Sequence, residues 1–386
     1  MRELDAKKYW VALNMVTGVG AVTFRKLLNA FADPQRVFAA SRAELRALPG
    51  IPEKTVANIL QFDLDALLPK ELEAIASHHA QIVTIDDAAY PDILRHIFDP
   101  PHVLYVKGQP LQAHEIAIAV VGSRQASTYG RTVAEHFGQQ LALKGVTVVS
   151  GLARGIDSAA HRGAIQAGGR TIAALGCGVD VIYPAENANL YHEITAQGSL
   201  ISELPMGTMP DRRNFPARNR IISGLCLGTL VIEAGDQSGA LITADMALEQ
   251  GRDVFAVPGN ITSGSSKGTN RLIKQGAALV EHADDILAAM NMEIQREMRR
   301  AAPTIPQAEL PFTPAAAPSP TKTFAPMPPL SPEEQQVFQA IGDQPAHIDD
   351  ITIHAQMPSG AVSAALMMLE MKNLVRQLAG KMFQRR

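Results

Sequence analysis

Between residues 116 and 290 one unit recurs: a short apolar run, a turn containing glycine, then a stretch with helical periodicity. The runs read IAIAVVG (116–122), VTVVSG (146–151), TIAALG (171–176), SLIS (199–202), TLVIEAG (229–235), DVFAVPG (253–259) and AALVEHA (277–283). Continuous apolar strands are covered on both faces, and the helical stretches between them supply the cover. The pattern therefore predicts an α/β fold with a doubly wound, Rossmann-like parallel sheet. A ligand site in such a sheet lies outside the carboxyl ends of its strands, which directs attention to the turns.

The rest of the 386 residues divides around this core, and the length predicts two or three domains. Residues 301–332 hold ten of the chain's 25 prolines and only two charges, Glu309 and Lys322, which predicts an extended linker. Residues 333–386 then form a small separate module. Residues 1–77 read as short helices, with TGVGAVTFRKLL (17–28) and LPGIPEKTVANIL (48–60) as two similar units, each a tight glycine turn before an apolar helix. The arrangement is SAM-like or helix–hairpin–helix-like. Ten basic residues against nine acids, and Pro52 in the second turn, favour packing or dimerisation over phosphate contact there. Residues 78–115, with Pro91, Pro100 and Pro101 around strand-like runs, lead into the sheet, so the extended core is placed at 78–300.

With 46% hydrophobic and 19% charged residues the chain buries substantial cores. Its 35 Lys and Arg against 38 Asp and Glu give a net charge of −3, so a nucleic-acid site has to be a local patch. Two separated cysteines, Cys177 and Cys226, fit neither a disulfide framework nor a thiolate zinc site, and suit a reducing cytoplasm. The first ten residues lack the apolar centre of a signal peptide, and the uncharged mid-chain stretch Ile221 to Ile232 is too short for a membrane helix, so a soluble protein is expected.

Five turns carry chemistry. Gly122, Ser123 and Arg124 close the first strand before a helix, where free amides and a positive helix end suit a phosphate. Ser150, Gly151 and Gly155 frame Arg154 in the second, with Asp157 or Ser158 expected as the cap of a helix running through His161. The third, preceding and including NFPARNRIISGL (214–225), gathers Arg212, Arg213, Arg218 and Arg220 against Asp211, a net +3 around Phe215. Guanidinium groups around one ring match the recipe for a single strand: phosphates neutralised, a base stacked. The fourth presents Gly235 and Ser238–Gly239 at a helix entrance. The fifth is a Gly/Ser/Thr loop with Lys267 and Asn270 that suits phosphate or backbone. Ser266 there fits GxSxG but lies too far past its strand for a nucleophile elbow. There is no P-loop, no HExxH and no GxGxxG, so neither metal nor cofactor is expected.

The segments VGSRQASTYG (121–130), SGLARGIDSAAHRGA (150–164), TIAALGCGVDVIYPAEN (171–187), FPARNRIISGL (215–225), VIEAGDQSGALITADMALEQGRDVFAVPG (231–259) and GTNRLIKQGA (268–277) together resemble the DprA/Smf family. The resemblance spans the core in order. It implies a cytoplasmic DNA-processing protein of natural transformation that binds incoming single-stranded DNA, protects it, dimerises and loads RecA, and that is not an enzyme. It carries DNA contact onto Arg124, Phe215, Arg218, Asn219 and Arg220, with backbone approach at Gly122, Ser123, Ser150 and Gly151; position 217 is Ala. The apolar helices 240–248 and 283–290 are candidates for the dimer face. The final module is similar to the winged helix at the end of many such chains, with a hairpin turning at Ala379–Gly380. Its third helix, 359–371, holds only Glu370 among charged residues, so a protein partner, or weak backbone contact through Lys372, Arg376, Lys381, Arg385 and Arg386, is expected over sequence reading. The competing enzyme reading is a phosphoribohydrolase-like activity on the same sheet type. Against it, the turn EAGDQSGALITAD has no Glu in the early-helix place such an enzyme uses, where Asp245 is the first acid. A third reading is an adaptor acting through the C-terminal module.

Overall fold

The structure, a computed structural model, describes residues 2–111, 116–290, 330–341, 346–372, 374–378 and 382–385. The linker expected at 301–332 lies outside these residues except for 330–332, as do the Ala379–Gly380 turn, Lys381 and Arg386. The chain separates into two compact units, 1–306 and 307–386.

In the first unit every expected apolar run is a strand. β1 (Gln81–Thr84), β2 (Val103–Gly108), β3 (Ala117–Val121), β4 (Thr147–Ser150), β5 (Thr171–Ala174), β6 (Ser199–Ser202), β7 (Gly228–Val231), β8 (Asp253–Ala256) and β9 (Ala278–Leu279) form one sheet. Its order is β1-β2-β6-β5-β4-β3-β7-β8-β9. β3 to β9 are parallel, whereas β2 runs antiparallel to β6 and β1 antiparallel to β2. Side chains alternate between layers: Ala117, Ala119 and Val121 of β3 pack with helices Asn214–Gly224 and Gly239–Glu249, while Ile118 and Val120 pack with helices Thr128–Leu143 and Ile156–Gln166. The last two helices touch through glycine. A methyl on Gly138 would lie 2.3 Å from the Ala160 carbonyl oxygen, and one on Gly163 2.0 Å from that of Glu135.

Six helices precede the sheet, and the two punctuated units are braced against each other. Gly18 and Gly50 turn with φ of +95° and +71°, a conformation glycine adopts without strain. Asn58 Nδ2 donates to the Thr17 carbonyl at 2.7 Å, and Lys26 Nζ to that of Pro49 at 3.0 Å. This helical domain is docked on the sheet. Val11, Leu13 and Leu27 share a core with Val103, Tyr105 and Val179. Asn14 Nδ2 donates to the Glu203 carbonyl and Arg25 Nη1 to that of Phe98, both at 2.8 Å. The start of the second helix, Gly20–Phe24, faces Asp99, His102 and Arg220 across a cavity of about 500 Å³, so the first hairpin turns toward the core.

The second unit has helices Pro332–Ala340, Ile348–Ala355 and Ser359–Met371 and strands β10 (Ala346–His347), β11 (Val375–Leu378) and β12 (Met382–Arg385), the arrangement of a winged helix. Two cations expected at a DNA backbone are used within it. Lys372 pairs with Glu334 at 2.6 Å, and Arg385 Nε donates to the Phe338 carbonyl at 3.0 Å while its guanidinium lies 4.6 Å from the Phe338 ring. Among the described residues no helix is long and apolar enough to cross a membrane.

His102 lies at the junction of the helical domain and the sheet, stacked on Phe24 at 4.6 Å, with no hydrogen-bond partner for Nδ1 among the described residues. Burial, then the charges of Arg25 and Arg220, lower its pKa to about 4. The unfolded chain takes up this proton near pH 6.5, so folding free energy is lost as pH falls from 6.5 to 4, by up to about 3 kcal/mol. His102→Phe keeps the stack and is expected to lose less stability over that window. Urea unfolding at pH 7 and 5 measures the difference, and identical losses would refute the assignment.

Candidate nucleic-acid interface

The strand order reverses at β3: the chain runs outward through β4, β5 and β6, then returns to the other side of β3 for β7, β8 and β9. A crevice opens at such a switch point, beyond the carboxyl ends of β3 and β7. A cavity of about 770 Å³ lies there, lined by Gly122, Ser123, Arg124, Phe215, Arg218 and Asn219 and, across from them, by the fourth turn at Gly235 and Ser238–Gly239. An adjoining cleft of about 210 Å³ shares Arg124, Phe215 and Arg218 and adds Gly151, Arg154 and Tyr183.

The first turn is tied down by Glu233, at the end of β7. Ser123 N–H donates to the Glu233 carbonyl at 2.7 Å, and Ser127 N–H to its carboxylate at 2.8 Å. Ser127 also caps the helix Thr128–Leu143 by accepting from Gly130 N–H at 3.0 Å. The Ser127 and Gly130 amides at the positive end of this helix are thus taken up internally, while Gly122, Ser123 and Arg124 line the cavity. Gly130 is required, since a methyl would lie 2.1 Å from the Glu233 carboxylate.

The second turn is braced from below. Asp157 is not the helix cap expected: that position is Gly155, at φ +77°, and the Asp157 carboxylate reaches back to accept from Gly151 N–H at 3.2 Å and Ala153 N–H at 3.3 Å. Burial raises its pKa, while the Arg218 charge and the two amides pull it down. His161 lies elsewhere, buried with Nδ1 2.6 Å from Thr171 Oγ1 and its pKa lowered to about 3 by burial, so the two make no acid–base pair.

Arg218 forms the floor. Its side chain is buried, and Nη1 donates to the carbonyls of Gly151, at 2.8 Å, and Ala174. Burial lowers its pKa to about 10 against the pull of Asp157, which leaves it charged at neutral pH. Nη2 has no hydrogen-bond partner among the described residues. Phe215 lies over this floor with the Arg124 guanidinium 4.9 Å and that of Arg218 6.0 Å from its centroid, and Tyr183 stacks on it at 5.8 Å. Gly176 makes room, since a methyl there would lie 2.8 Å from the ring.

Other candidates are drawn away. Ser150 is buried and donates to the Val120 carbonyl at 2.6 Å. Arg154 borders the smaller cleft but pairs with Glu186. Arg220 is held by Glu203 and Asp99 outside the cavity. Lys267 is exposed and Asn270 is bonded to the Gly259 backbone at 3.2 and 3.0 Å; neither lines the cavity. Arg213 pairs with Asp211 at 2.9 Å. Arg212, which sequence reasoning saw only as part of a charge run, lines the cavity with Gln125 and Gln237. Arg124 and Arg212 are exposed and have no carboxylate partner among the described residues. Nor do these residues include a cluster of three or more His, Cys, Asp or Glu suited to a metal ion.

The family model described as DNA recombination-mediator protein A matches residues 81–291. The chain belongs to the DprA/Smf family. The family's winged-helix model matches residues 315–381, and a SAM-like helix-hairpin-helix tandem matches 11–62. Protein Smf of Synechocystis sp. is 35% identical over 392 residues, covering 98% of each chain. The DNA processing protein DprA of Streptococcus pneumoniae is 46% identical over 224 residues, 58% of this chain and 77% of that one. The X-ray structure of S. pneumoniae DprA superposes with a TM-score of 0.65 at 38% identity, covering 74% of this chain and 98% of that one. A Helicobacter pylori DprA structure, described as revealing a unique single-stranded DNA binding mode, superposes with a TM-score of 0.50 at 27% identity, covering 57% of this chain and 98% of that one.

In this DprA/Smf chain the turn beneath the cavity depends on Asp157, whose carboxylate holds the Gly151 and Ala153 amides beside Arg218. Asp157→Ala leaves those donors unpaired and is expected to cost about 1–3 kcal/mol in urea unfolding at pH 7. A loss below about 0.5 kcal/mol would show that the carboxylate does not hold the turn.

Proposed function

We propose that this chain binds single-stranded DNA in the switch-point cavity and serves as a recombination mediator that protects incoming strands and loads RecA onto them, acting as a cytoplasmic homodimer. The observation that carries the binding reading is the charge left unpaired at the cavity. Arg124 and Arg212, without carboxylate partners among the described residues, border a crevice floored by Arg218, in a chain whose net charge is −3. Phosphates of an unpaired strand are the ligand that such a rim attracts, and the neighbouring Phe215 gives a base a ring to meet. Arg124 covers one part of that ring, so stacking there requires the guanidinium to move onto a phosphate. The single-strand binding described for the H. pylori relative supports the same reading. RecA loading, protection and dimer formation rest on family membership.

The phosphoribohydrolase alternative has less support. Asp157 is the one carboxylate lining the cavity among the described residues, and it accepts from the amides of Gly151 and Ala153. Asp245 is exposed on the helix Gly239–Glu249 and does not line the cavity.

Arg124→Ala is expected to weaken oligo-dT binding and to flatten the plot of log K against log salt by about 0.7, the contribution of one phosphate contact on a single strand. Fluorescence anisotropy from 50 to 300 mM salt reads both quantities, and an unchanged slope would reject the pocket. RecA filament formation on strands coated with wild type and variant then tests the mediator role.

A further inference from the structure

Arg220 was expected beside Arg218 on a phosphate, yet two residues along an α-helix turn a side chain by about 200°. The two guanidinium groups leave opposite sides of the helix Asn214–Gly224. Arg218 lies under the cavity, and Arg220 lies in a polar clamp with Nε 2.9 Å from Asp99 Oδ2 and Nη1 and Nη2 3.1 and 2.6 Å from the two oxygens of Glu203. Its side chain is 10% exposed. Burial alone lowers its pKa, but Glu203 and Asp99 outweigh burial and carry it above the ordinary value. The same residue is held from a third side, where Gln250 Nε2 donates to its carbonyl at 3.0 Å.

The start of the helix is held by Asn214 Nδ2 on the Gly176 carbonyl at 3.3 Å, a part-buried contact, and by the Asp211 carboxylate on Arg213 N–H at 2.9 Å, an exposed one, and of residues 214–220 only Arg218 and Arg220 are buried. Both halves of the clamp are gripped in turn by the N-terminal helical domain. The Glu203 carbonyl takes the Asn14 amide, and the Phe98 carbonyl, next to Asp99, takes Arg25, whose guanidinium also lies 5.4 Å from the Phe98 ring.

We infer that Arg220 is a positioning residue, not a DNA ligand: its clamp with Glu203 and Asp99, steadied by Asn14 and Arg25, sets the helix that presents Phe215 and Arg218 to the cavity. The inference rests on the single-strand reading of that cavity. A positioning residue changes affinity without changing how many phosphates are neutralised. A phosphate ligand changes both.

The test is oligo-dT binding by Arg220→Ala across a salt series, with Arg124→Ala alongside and a stoichiometric titration to count competent molecules. The expected result is full stoichiometry, an affinity weakened roughly tenfold and a salt slope equal to wild type. Flattening by the amount seen for Arg124→Ala would make Arg220 a phosphate contact and overturn the inference, as would unchanged affinity. Should Arg220→Ala fail to fold, the double variant Asn14→Ala/Arg25→Ala, which leaves Arg220 and its two carboxylates in place, is expected to weaken binding severalfold at constant slope; wild-type affinity there overturns the clamp. If Arg124→Ala changes neither affinity nor slope, the cavity itself is the wrong site. A sensitive Arg124→Ala with an insensitive Arg220→Ala removes only the clamp.

Discussion

A guanidinium buried under a binding cavity has to be compensated from inside the protein, and the way Arg218 is compensated fixes the shape of everything above it. Its hydrogen bonds run to the carbonyls of Gly151 and Ala174, at the ends of β4 and β5. The Asp157 charge favours the guanidinium through space while its carboxylate holds the amides of Gly151 and Ala153. Arg218 and Asp157 both grip Gly151, and this arrangement joins two strand ends, a turn and a helix. What it secures is geometry, and Gly151 is the residue that allows it: a methyl there would lie 2.6 Å from the guanidinium.

The cluster of arginines around this floor is less positive than its composition suggests. Arg213 is matched by Asp211, Arg154 by Glu186, and Arg220 by Glu203 and Asp99. Arg220, buried between its two carboxylates, releases no counterions when an anion arrives and adds nothing to salt dependence, whereas Arg154 and Arg213 form exposed pairs that a polyanion can compete for. Arg124 and Arg212 remain at the cavity, and they approach it from separate segments, one following β3 and the other preceding the helix Asn214–Gly224. The arginine run thus divides: Arg218 and Arg220 build the wall, and Arg212 is left at the cavity without a carboxylate partner among the described residues.

The apolar runs made the sheet legible because a strand buried on both faces has to be continuously apolar, and all seven runs became parallel strands. The place of Arg124 at the end of β3 follows from the same strand pattern, whereas Phe215, in the first turn of the helix Asn214–Gly224, stands out only by the arginines around it. The fate of Arg220 was not legible. Helical periodicity fixes the angle between side chains but not what stands opposite them, and the partners of Arg220 lie 17 and 121 residues away. Asp157 was misread because an acid at a helix start usually caps it, while here the preceding turn, opened by Gly155, folds its own amides onto the carboxylate. The antiparallel β1 and β2 carry the same apolar signal as the parallel strands, and composition does not record direction.

The occupied helix end after β3 also bears on the class of ligand. A dinucleotide bound in the usual way puts its pyrophosphate deep in the crevice, on the free amides of that helix. Here Glu233, only 3% exposed, takes the Ser127 amide, and Ser127 takes that of Gly130. A buried carboxylate at this point repels a phosphate from the position a small nucleotide would need. In the proposed reading, phosphates of a strand crossing the mouth of the crevice would meet Arg124 and Arg212 without entering it, so this internal anion weighs against the small ligand and not against the polymer.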